Sequence, residues 1–533
     1  MTKASQRIAD LSPKEKRALL TELLRKTKDD IESTYPLSFN QQGMWFLYQL
    51  APESTVYNVT FSARIRSALD IDALRLAFQT LIERHPSLRT TFALASGAPV
   101  QRVHRQSPLD FVETDISTWT DEHLTARLAD DAHRPFDLER GPVVRVRVFT
   151  RSERDRVLLM VVHHIVIDFW SLAIVLNELS VLYPAHLARI PALLPEPIAQ
   201  YSNYVRWQAE MLAGPQGQQL WKYWSGQLAG PLPELGLPSD RPRPPLQTYR
   251  GAALEFNLDA ELSGHLRALA RTRGVTLYMV LLAAFQMTLA CLTGQNDMLI
   301  ASPVVGRSRA EFEGVVGLFT NPVVLRANLS GNPTFQGLLA RVRESVLAAL
   351  DHQDYPSLLL VQRLRLPREL SRPPLAQVMF VLDKPHRLNS SGTPAFAQGP
   401  TGLQMNPGGL QLESFPLERR SAALDLVMLI IETTTSLSVS IRYNTDLFDQ
   451  ATITRIGGQF ETVLRSVISK IDLKLNELKA ILLAEDSKQV NAMREERRIA
   501  NLQRLKDIRR RPVITARNDP STILVRTESR HTS

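Results

Sequence analysis

The spacing of apolar side chains changes period several times along the chain. Over residues 71–83, Leu74, Leu76, Phe78 and Leu81 fall among the apolar positions at helical spacing. Residues 143–150, VVRVRVFT, alternate apolar and charged positions, the period of a half-exposed strand. Residues 157–162, VLLMVV, are apolar without interruption, as in a central strand buried on both faces. A helix is expected next, over 171–182. The second half repeats the mixture. It has a long helix over 275–292 stopped by Gly294, and strands near 298–302, 377–382 and 437–443. The segment 275–292 is the longest apolar stretch, but Thr276, Gln286 and Thr288 break it. A helix buried in a large core is expected there, not a membrane span.

These elements divide the chain into four parts. Residues 1–34 read as a helical leader. Ser12 and Glu15 form a capping-box pattern, Pro13 takes the first helical position, and Leu19, Leu20, Leu23 and Leu24 form one apolar stripe. Residues 35–210 and 211–483 read as two mixed lobes. The proline-rich stretch PLPELGLPSDRPRPPLQ, residues 231–247, is a connector between them. Residues 383–407, rich in Ser, Gly, Pro and Asn, read as a long exposed loop. Residues 484–533 form a basic tail, either disordered or a docking element. Within it Ile499, Leu502, Leu505 and Ile508 recur every third residue.

Composition narrows the class. Apolar residues make up 44% and charged residues 22%, values of an ordinary globular protein. The single cysteine, Cys291, excludes an internal disulfide and any multi-cysteine metal site. The N-terminus lacks the apolar core of a signal peptide, so a reducing cytoplasm is the expected compartment. The net charge is +9, but residues 487–533 hold 12 Lys and Arg against 5 Asp and Glu, a balance of +7. That leaves +2 for the rest, so no basic folded face for nucleic acid is expected, and no membrane partner.

Phosphate-loop, dinucleotide, nucleophile-elbow and HExxH patterns are all absent, so nothing calls for a bound nucleotide, nicotinamide or metal. What carries chemistry is HHIVID, residues 163–168, directly after the apolar run VLLMVV. Successive side chains on a strand point to opposite faces. One of His163 and His164 can therefore face a cavity while the other packs behind it. That geometry is poor for sharing a metal ion and good for one imidazole acting as a base. By itself an adjacent histidine pair in a strand is more often structural.

Other stretches decide the matter. HHIVID resembles the HHxxxDG signature of the condensation domains of nonribosomal peptide synthetases, within the chloramphenicol-acetyltransferase-like superfamily. Further stretches resemble that family's motifs in the family's order: LSFNQQGMWFLYQL (37–50), RHPSLRTTF (84–92), PFDLERGP (135–142) and YSNYVRW (201–207). TGQNDMLIASPVVGR (293–307), VGLFTNPVVLR (316–326), HQDYP (352–356), RELSRPPLAQVMF (368–380) and YNTDLFD (443–449) continue the series. The resemblance spans roughly residues 35–483. It departs from the family pattern at Phe169, which stands where the family has glycine, and at Asn203 and Pro373, which stand for aspartate and asparagine.

The resemblance implies an α/β fold of two chloramphenicol-acetyltransferase-like lobes, a V-shaped pseudo-dimer with the active site between them. It implies that His164 serves as base or positions the nucleophile. His163 supports the motif, and Asp168 is structural, paired with an arginine such as Arg307. Phe169 is expected to narrow the substrate channel, whereas Tyr355, Asn321 and Trp45 are expected to be framework. Arg84 and Arg89 either shape the site or hold a helix end. The implied reaction joins an acyl thioester on a carrier protein to an amine or hydroxyl, in nonribosomal peptide or hybrid polyketide–peptide biosynthesis. The chain itself binds no cofactor: the phosphopantetheine arm comes with the donor carrier. The acceptor rides on a second carrier or is a free small molecule. With no carrier or adenylation module of its own, the chain is expected to work with partners in trans, or to be an excised piece. Two alternatives share the fold: a catalytically idle recruitment domain, and a carrier-bound amino-acid epimerase.

Overall fold

The computed structural model describes residues 30–366, 369–383, 396, 402–415, 417–433 and 435–488. The leader stripe at Leu19–Leu24, most of the 383–407 loop and the tail beyond residue 488 lie outside them. The chain forms two compact units, one through Leu478 and one from Lys479 onward. Of the second, residues 479–488 are described and helical.

The first unit opens with strand β1 (Ile31–Pro36), helix α1 (Phe39–Leu50), β2 (Asn58–Ile65) and α2 (Ile71–Arg84). There follow β3 (Thr90–Ala95), β4 (Ala98–His104), β5 (Asp110–Asp115), α3 (Asp121–Ala132), β6 (Val144–Ser152) and β7 (Asp155–His163). Helices α4 (Phe169–Ala188), α5 (Tyr201–Ala213) and α6 (Pro215–Gln227) close the first half. The second half runs β8 (Gly251–Leu258), α7 (Ala260–Thr272), α8 (Leu277–Thr293), β9 (Asp297–Val304), β10 (Asn321–Asn328), α9 (Phe335–Asp351) and α10 (Ser357–Leu364). It ends with β11 (Val378–Asp383), β12 (Gln404–Met405), β13 (Leu412–Ser414), β14 (Leu426–Glu432), β15 (Leu437–Asn444) and α11 (Gln450–Ser469).

Two six-stranded sheets result, in the orders β12-β13-β2-β7-β6-β5 and β10-β9-β11-β14-β15-β8. The continuous apolar run lies in β7, between β2 and β6, with both faces covered. Helices α2 and α4 pack together in the first core. Helix α4 is apolar and long enough to cross a membrane by length and composition, yet half of its side chains are fully buried inside the protein. Helix α8, capped by the Thr276 side chain and ended at Gly294 with φ +72°, is buried nearly along its whole length. The two sheets with their helices are the two expected lobes.

Four expectations change. The alternating strand 143–150 is not half-exposed: within β6, Arg145 and Arg147 are only 2% and 4% accessible. Arg145 donates to the carbonyls of Asp131, Arg134 and Pro135 at 2.9–3.1 Å and stacks over Phe136 at 4.1 Å. Arg147 pairs with Asp110 at 2.9 Å. Each guanidinium is covered because its donors meet carbonyls and carboxylates that would otherwise be stranded at the end of α3. Burial, first of all, pushes the Arg145 pKa down to about 10.

The helical leader does not reach residue 34, because Ile31–Pro36 pairs with β4 as a strand. The lobes also exchange chain. β12 and β13 come from the second half in sequence but extend the first sheet, Leu412 opposite Ile65. They cover the β2 edge, which would otherwise leave its backbone groups unpaired. The expected exposed loop accordingly includes strand residues Gln404 and Met405, and Phe396 is buried on Phe61 with ring centroids 5.4 Å apart. Finally, the proline-rich connector lies on the second lobe. Leu235 N–H donates to Gln377, and Arg243 grips the fully buried Asp425.

Candidate active site

The site begins where β7 ends. His163 is the last strand residue, and His164–Val166 form a single 3₁₀ turn. The alternation of the strand separates the two imidazoles. His163 is 5% accessible, edge-on to Phe136 at 6.1 Å, and its Nδ1 accepts the Ile165 N–H at 3.2 Å. His164 remains partly exposed. Its backbone N–H donates to the Tyr57 carbonyl at 2.8 Å, and its ring lies 6.4 Å from those of Tyr57 and Phe169.

The tautomer of His164 follows from one contact. Nδ1 stands 2.6 Å from the Ile167 carbonyl oxygen. A carbonyl can only accept, so Nδ1 carries the proton. The neutral ring therefore keeps its lone pair on Nε2. Among the described residues nothing hydrogen-bonds that nitrogen.

Asp168 caps α4, and its carboxylate is wholly inaccessible. Oδ1 accepts the Ser171 N–H at 2.7 Å. Oδ2 accepts the backbone N–H groups of Phe319 and Thr320, from the second half of the chain, at 3.0 and 3.2 Å. Arg307 Nη2 lies 3.4 Å from Oδ1 and donates to Ser171 Oγ at 2.8 Å. The same guanidinium reaches the carbonyls of Phe312 and Val315 and stacks over Phe319 at 3.9 Å. Burial lowers the Arg307 pKa, with Asp168 opposing the shift.

Several residues of this junction carried no expected role. Tyr201 OH donates to the Leu318 carbonyl and lies 2.9 Å from Ser38 Oγ; Gln41 Nε2 donates to the Ile165 carbonyl at 3.1 Å. A Cβ on Gly317 would fall 2.1 Å from the Tyr201 ring, so the 316–320 segment can lie this close only with glycine there. Gly306 has φ +70°, and a Cβ there would strike the Phe319 carbonyl oxygen. The stretches SPVVGR, VGLFTNP and YSNYVRW were visible in the sequence, but their mutual contacts were not. Tyr57 lies outside every quoted stretch. Phe169 takes the first helical position of α4, where glycine is not needed for backbone reasons, and it packs partly into the first core. Asn321 holds the carbonyls of Gln353 and Tyr355, as framework does. Arg84 and His85 both bond Glu178 on α4, and Arg89 bonds Glu32. Among the described residues no group of three metal-ligating side chains converges.

Two mixed α/β lobes, with a histidine turn tied by a buried carboxylate to the second lobe, define a fold of the chloramphenicol-acetyltransferase type. The chain belongs to the condensation-domain family, whose profile matches residues 31–490; its members in nonribosomal peptide synthetases form amide bonds. It is 40% identical over 436 residues to a linear gramicidin synthase of Brevibacillus parabrevis, covering 81% of this chain and 6% of the relative. It is 38% identical to a chondramide synthase of Chondromyces crocatus, covering 84% and 11%. The chain thus spans about a tenth or less of these relatives. Among solved structures, the X-domain from teicoplanin biosynthesis superposes with a TM-score of 0.74 at 27% identity, covering 83% of this chain and 96% of that one. The same X-domain is known in complex with OxyB, with a TM-score of 0.73.

Two measurements test the roles of His163 and Asp168. Burial, then the neighbouring His164, push the His163 pKa down to about 3, against about 6.5 in the unfolded chain. Between these values the unfolded chain binds a proton that the native state refuses. Stability is therefore full above pH 6.5 and falls as the pH drops, by about 1.4 kcal/mol per pH unit. Urea unfolding at pH 7 and 5 should show this slope. His163→Asn, which keeps an acceptor for Ile165, should flatten it; equal slopes would refute the assignment. Asp168→Ala leaves Arg307 buried without its carboxylate and should cost about 3–5 kcal/mol in the same assay. A loss below about 1 kcal/mol would show that the carboxylate does not hold the junction.

Proposed function

We propose that the chain joins a carrier-bound acyl thioester to an amine or hydroxyl acceptor, with His164 taking the acceptor's proton or holding the nucleophile. The observation that carries this reading is the Nδ1–H bond from His164 to the Ile167 carbonyl, because it leaves a lone pair on Nε2. The acceptor nitrogen or oxygen attacks the thioester carbon. The new C–N or C–O bond forms, the C–S bond breaks, and the proton accepted at Nε2 passes to the departing thiolate. The phosphopantetheine arm would be brought by a partner carrier protein, and the acceptor by a second carrier or as a free molecule. Bringing two reactants together in one channel supplies much of the acceleration. The family's amide-forming chemistry and the 40% identity to a peptide synthase support this over an epimerase.

An idle recruitment domain is the second reading, favoured by the likeness to the X-domain known in complex with OxyB. Intact-protein mass spectrometry of a loaded donor carrier mixed with candidate acceptors separates the two. Wild-type protein should discharge the donor into product. His164→Ala should slow this by about 10²–10⁴-fold while its melting curve stays unchanged. Full rate in that variant would remove His164 from the mechanism, and no discharge with any acceptor would favour recruitment.

Phe169 is the residue we expect to restrict the channel, since its ring stands edge-on 6.4 Å from His164. Phe169→Gly should widen the range of acceptors or change their apparent KM. An unchanged profile across small and large nucleophiles would leave Phe169 a packing residue only.

A further inference from the structure

Two aromatic rings stand beside His164, each with its centre 6.4 Å from that of the imidazole. Phe169 offers no polar atom, whereas Tyr57 carries a phenol. Tyr57 lies in the turn that leads into β2, and the chain is fixed on both sides of it. Its own carbonyl accepts the His164 N–H at 2.8 Å, so the two residues are tied through the backbone. Asn58, the next residue, is the register partner of His163 and donates its N–H to the Thr55 carbonyl at 3.0 Å. Its side-chain amide holds the carbonyls of Ala132 and Arg134 at 2.9 and 3.0 Å. The Tyr57 ring is thus placed beside the base by its backbone, without the help of its hydroxyl.

That hydroxyl is unused. Among the described residues it has no hydrogen-bond partner, although the residue is half-buried. Enclosed phenols ordinarily find one, and others in this chain do. Tyr201 OH donates to the Leu318 carbonyl and Tyr278 OH to Ser302 Oγ, while Tyr183 OH accepts the Asp70 N–H and Tyr204 OH the Gln208 amide. Burial raises the Tyr57 pKa, with Tyr249 adding to the shift, so at neutral pH the phenol keeps its proton and remains a donor. The proposed reaction has a use for such a donor. Attack on a thioester moves an electron pair from the C=O bond onto its oxygen, and that charge is stabilised by a donor held ready for it. His164 cannot supply it before the attack, because its Nδ1 proton is spent on the Ile167 carbonyl and its Nε2 offers a lone pair.

We propose that the Tyr57 hydroxyl donates to the carbonyl oxygen of the acyl thioester while His164 serves the acceptor, and that this bond strengthens as the oxygen gains charge. The inference rests on the condensation reading, which puts the charge on that oxygen. The phenol and Nε2 then flank one reacting group, each about 3 Å from the atom it serves. Tyr57 keeps its proton throughout. The electron pair returns from oxygen to the C=O bond as the C–S bond breaks, and the departing thiolate takes the acceptor's proton from Nε2.

Titration calorimetry of the full chain tests the contact without turnover. Its two probes, S-hexanoylpantetheine and S-hexylpantetheine, differ only in the carbonyl oxygen. The preference for the thioester over the thioether should fall about 2- to 10-fold in Tyr57→Phe, as for the loss of one hydrogen bond. The thioether should bind both proteins equally, and the melting temperature should stay the same, because no described group loses a partner. A tyrosine with a merely structural role would move those two readouts instead. An unchanged preference, or no binding of the thioester to the wild type, would overturn the assignment. In the donor-discharge assay, Tyr57→Phe should lower kcat about 10²-fold, with the acceptor KM and the pH profile unchanged. Discharge by the wild type with full rate in the variant would sink this proposal alone. A Tyr57-dependent preference in a chain that discharges no donor would fail the condensation reading and leave the carbonyl contact standing.

Discussion

The buried carboxylate of Asp168 is the constraint on which the rest of the site depends. One oxygen stops the first turn of α4 from fraying by capping Ser171, while the other binds two consecutive N–H groups of the second lobe. A carboxylate with no access to water is costly unless its lone pairs are met by donors and its charge by a cation. Here the donors are backbone groups from two parts of the chain, and the cation is Arg307. The charge can therefore be accommodated only when residues 168–171 and 316–320 lie together. The turn carrying His164 is only a few residues upstream, so its placement follows from the same condition. Ser171 tightens it further, accepting the Gly317 N–H and donating to the Gly317 carbonyl.

The two histidines show how a local pattern becomes a division of labour. At the end of β7 the backbone alternation sends them to different surroundings. His163, enclosed and edge-on to Phe136, spends its Nδ1 lone pair on the Ile165 N–H and so helps close the 3₁₀ turn. His164 spends its Nδ1 proton on the Ile167 carbonyl at the far side of the same turn. One short turn thus fixes both rings by opposite uses of the same ring atom. In the role proposed for His164, a ring held in one tautomer would need no rearrangement before it accepted a proton.

Much of this was legible in the sequence, for reasons that can be named. A run such as VLLMVV has no polar position to expose, so its place inside a sheet followed directly. HHIVID and its companion stretches indicated the fold class, and the stop signal of the second-half helix, Gly294, marked its end closely. The failures share a cause: long-range pairing overrode a local pattern. Arg145 and Arg147 made β6 look half-exposed, but carbonyls and carboxylates from residues 110 and 131–135 met their donors. Gln404–Met405 looked like loop, and Leu412–Ser414 drew no strand expectation, because the sheet edge that they extend, β2, lies more than 300 residues earlier. Tyr57 belongs to no short motif, and the pairing of β2 with β7 brings it to the histidine turn. Residues 418–422 likewise carry no motif, although they cross between the lobes.

That crossing also bears on how the molecule can move. Each lobe has its own sheet and core, and two such bodies joined only by a connector would be expected to shift relative to one another. Here the connections multiply. β13 is hydrogen-bonded to β2, residues 418–422 are tied to α3 on one side and to β8 on the other, and Asp168 binds residues 319 and 320. Opening the lobes would require breaking strand pairing and stripping partners from a buried charge, whereas a small rotation about these ties would require neither. These ties therefore favour a nearly constant geometry around the turn that carries His164.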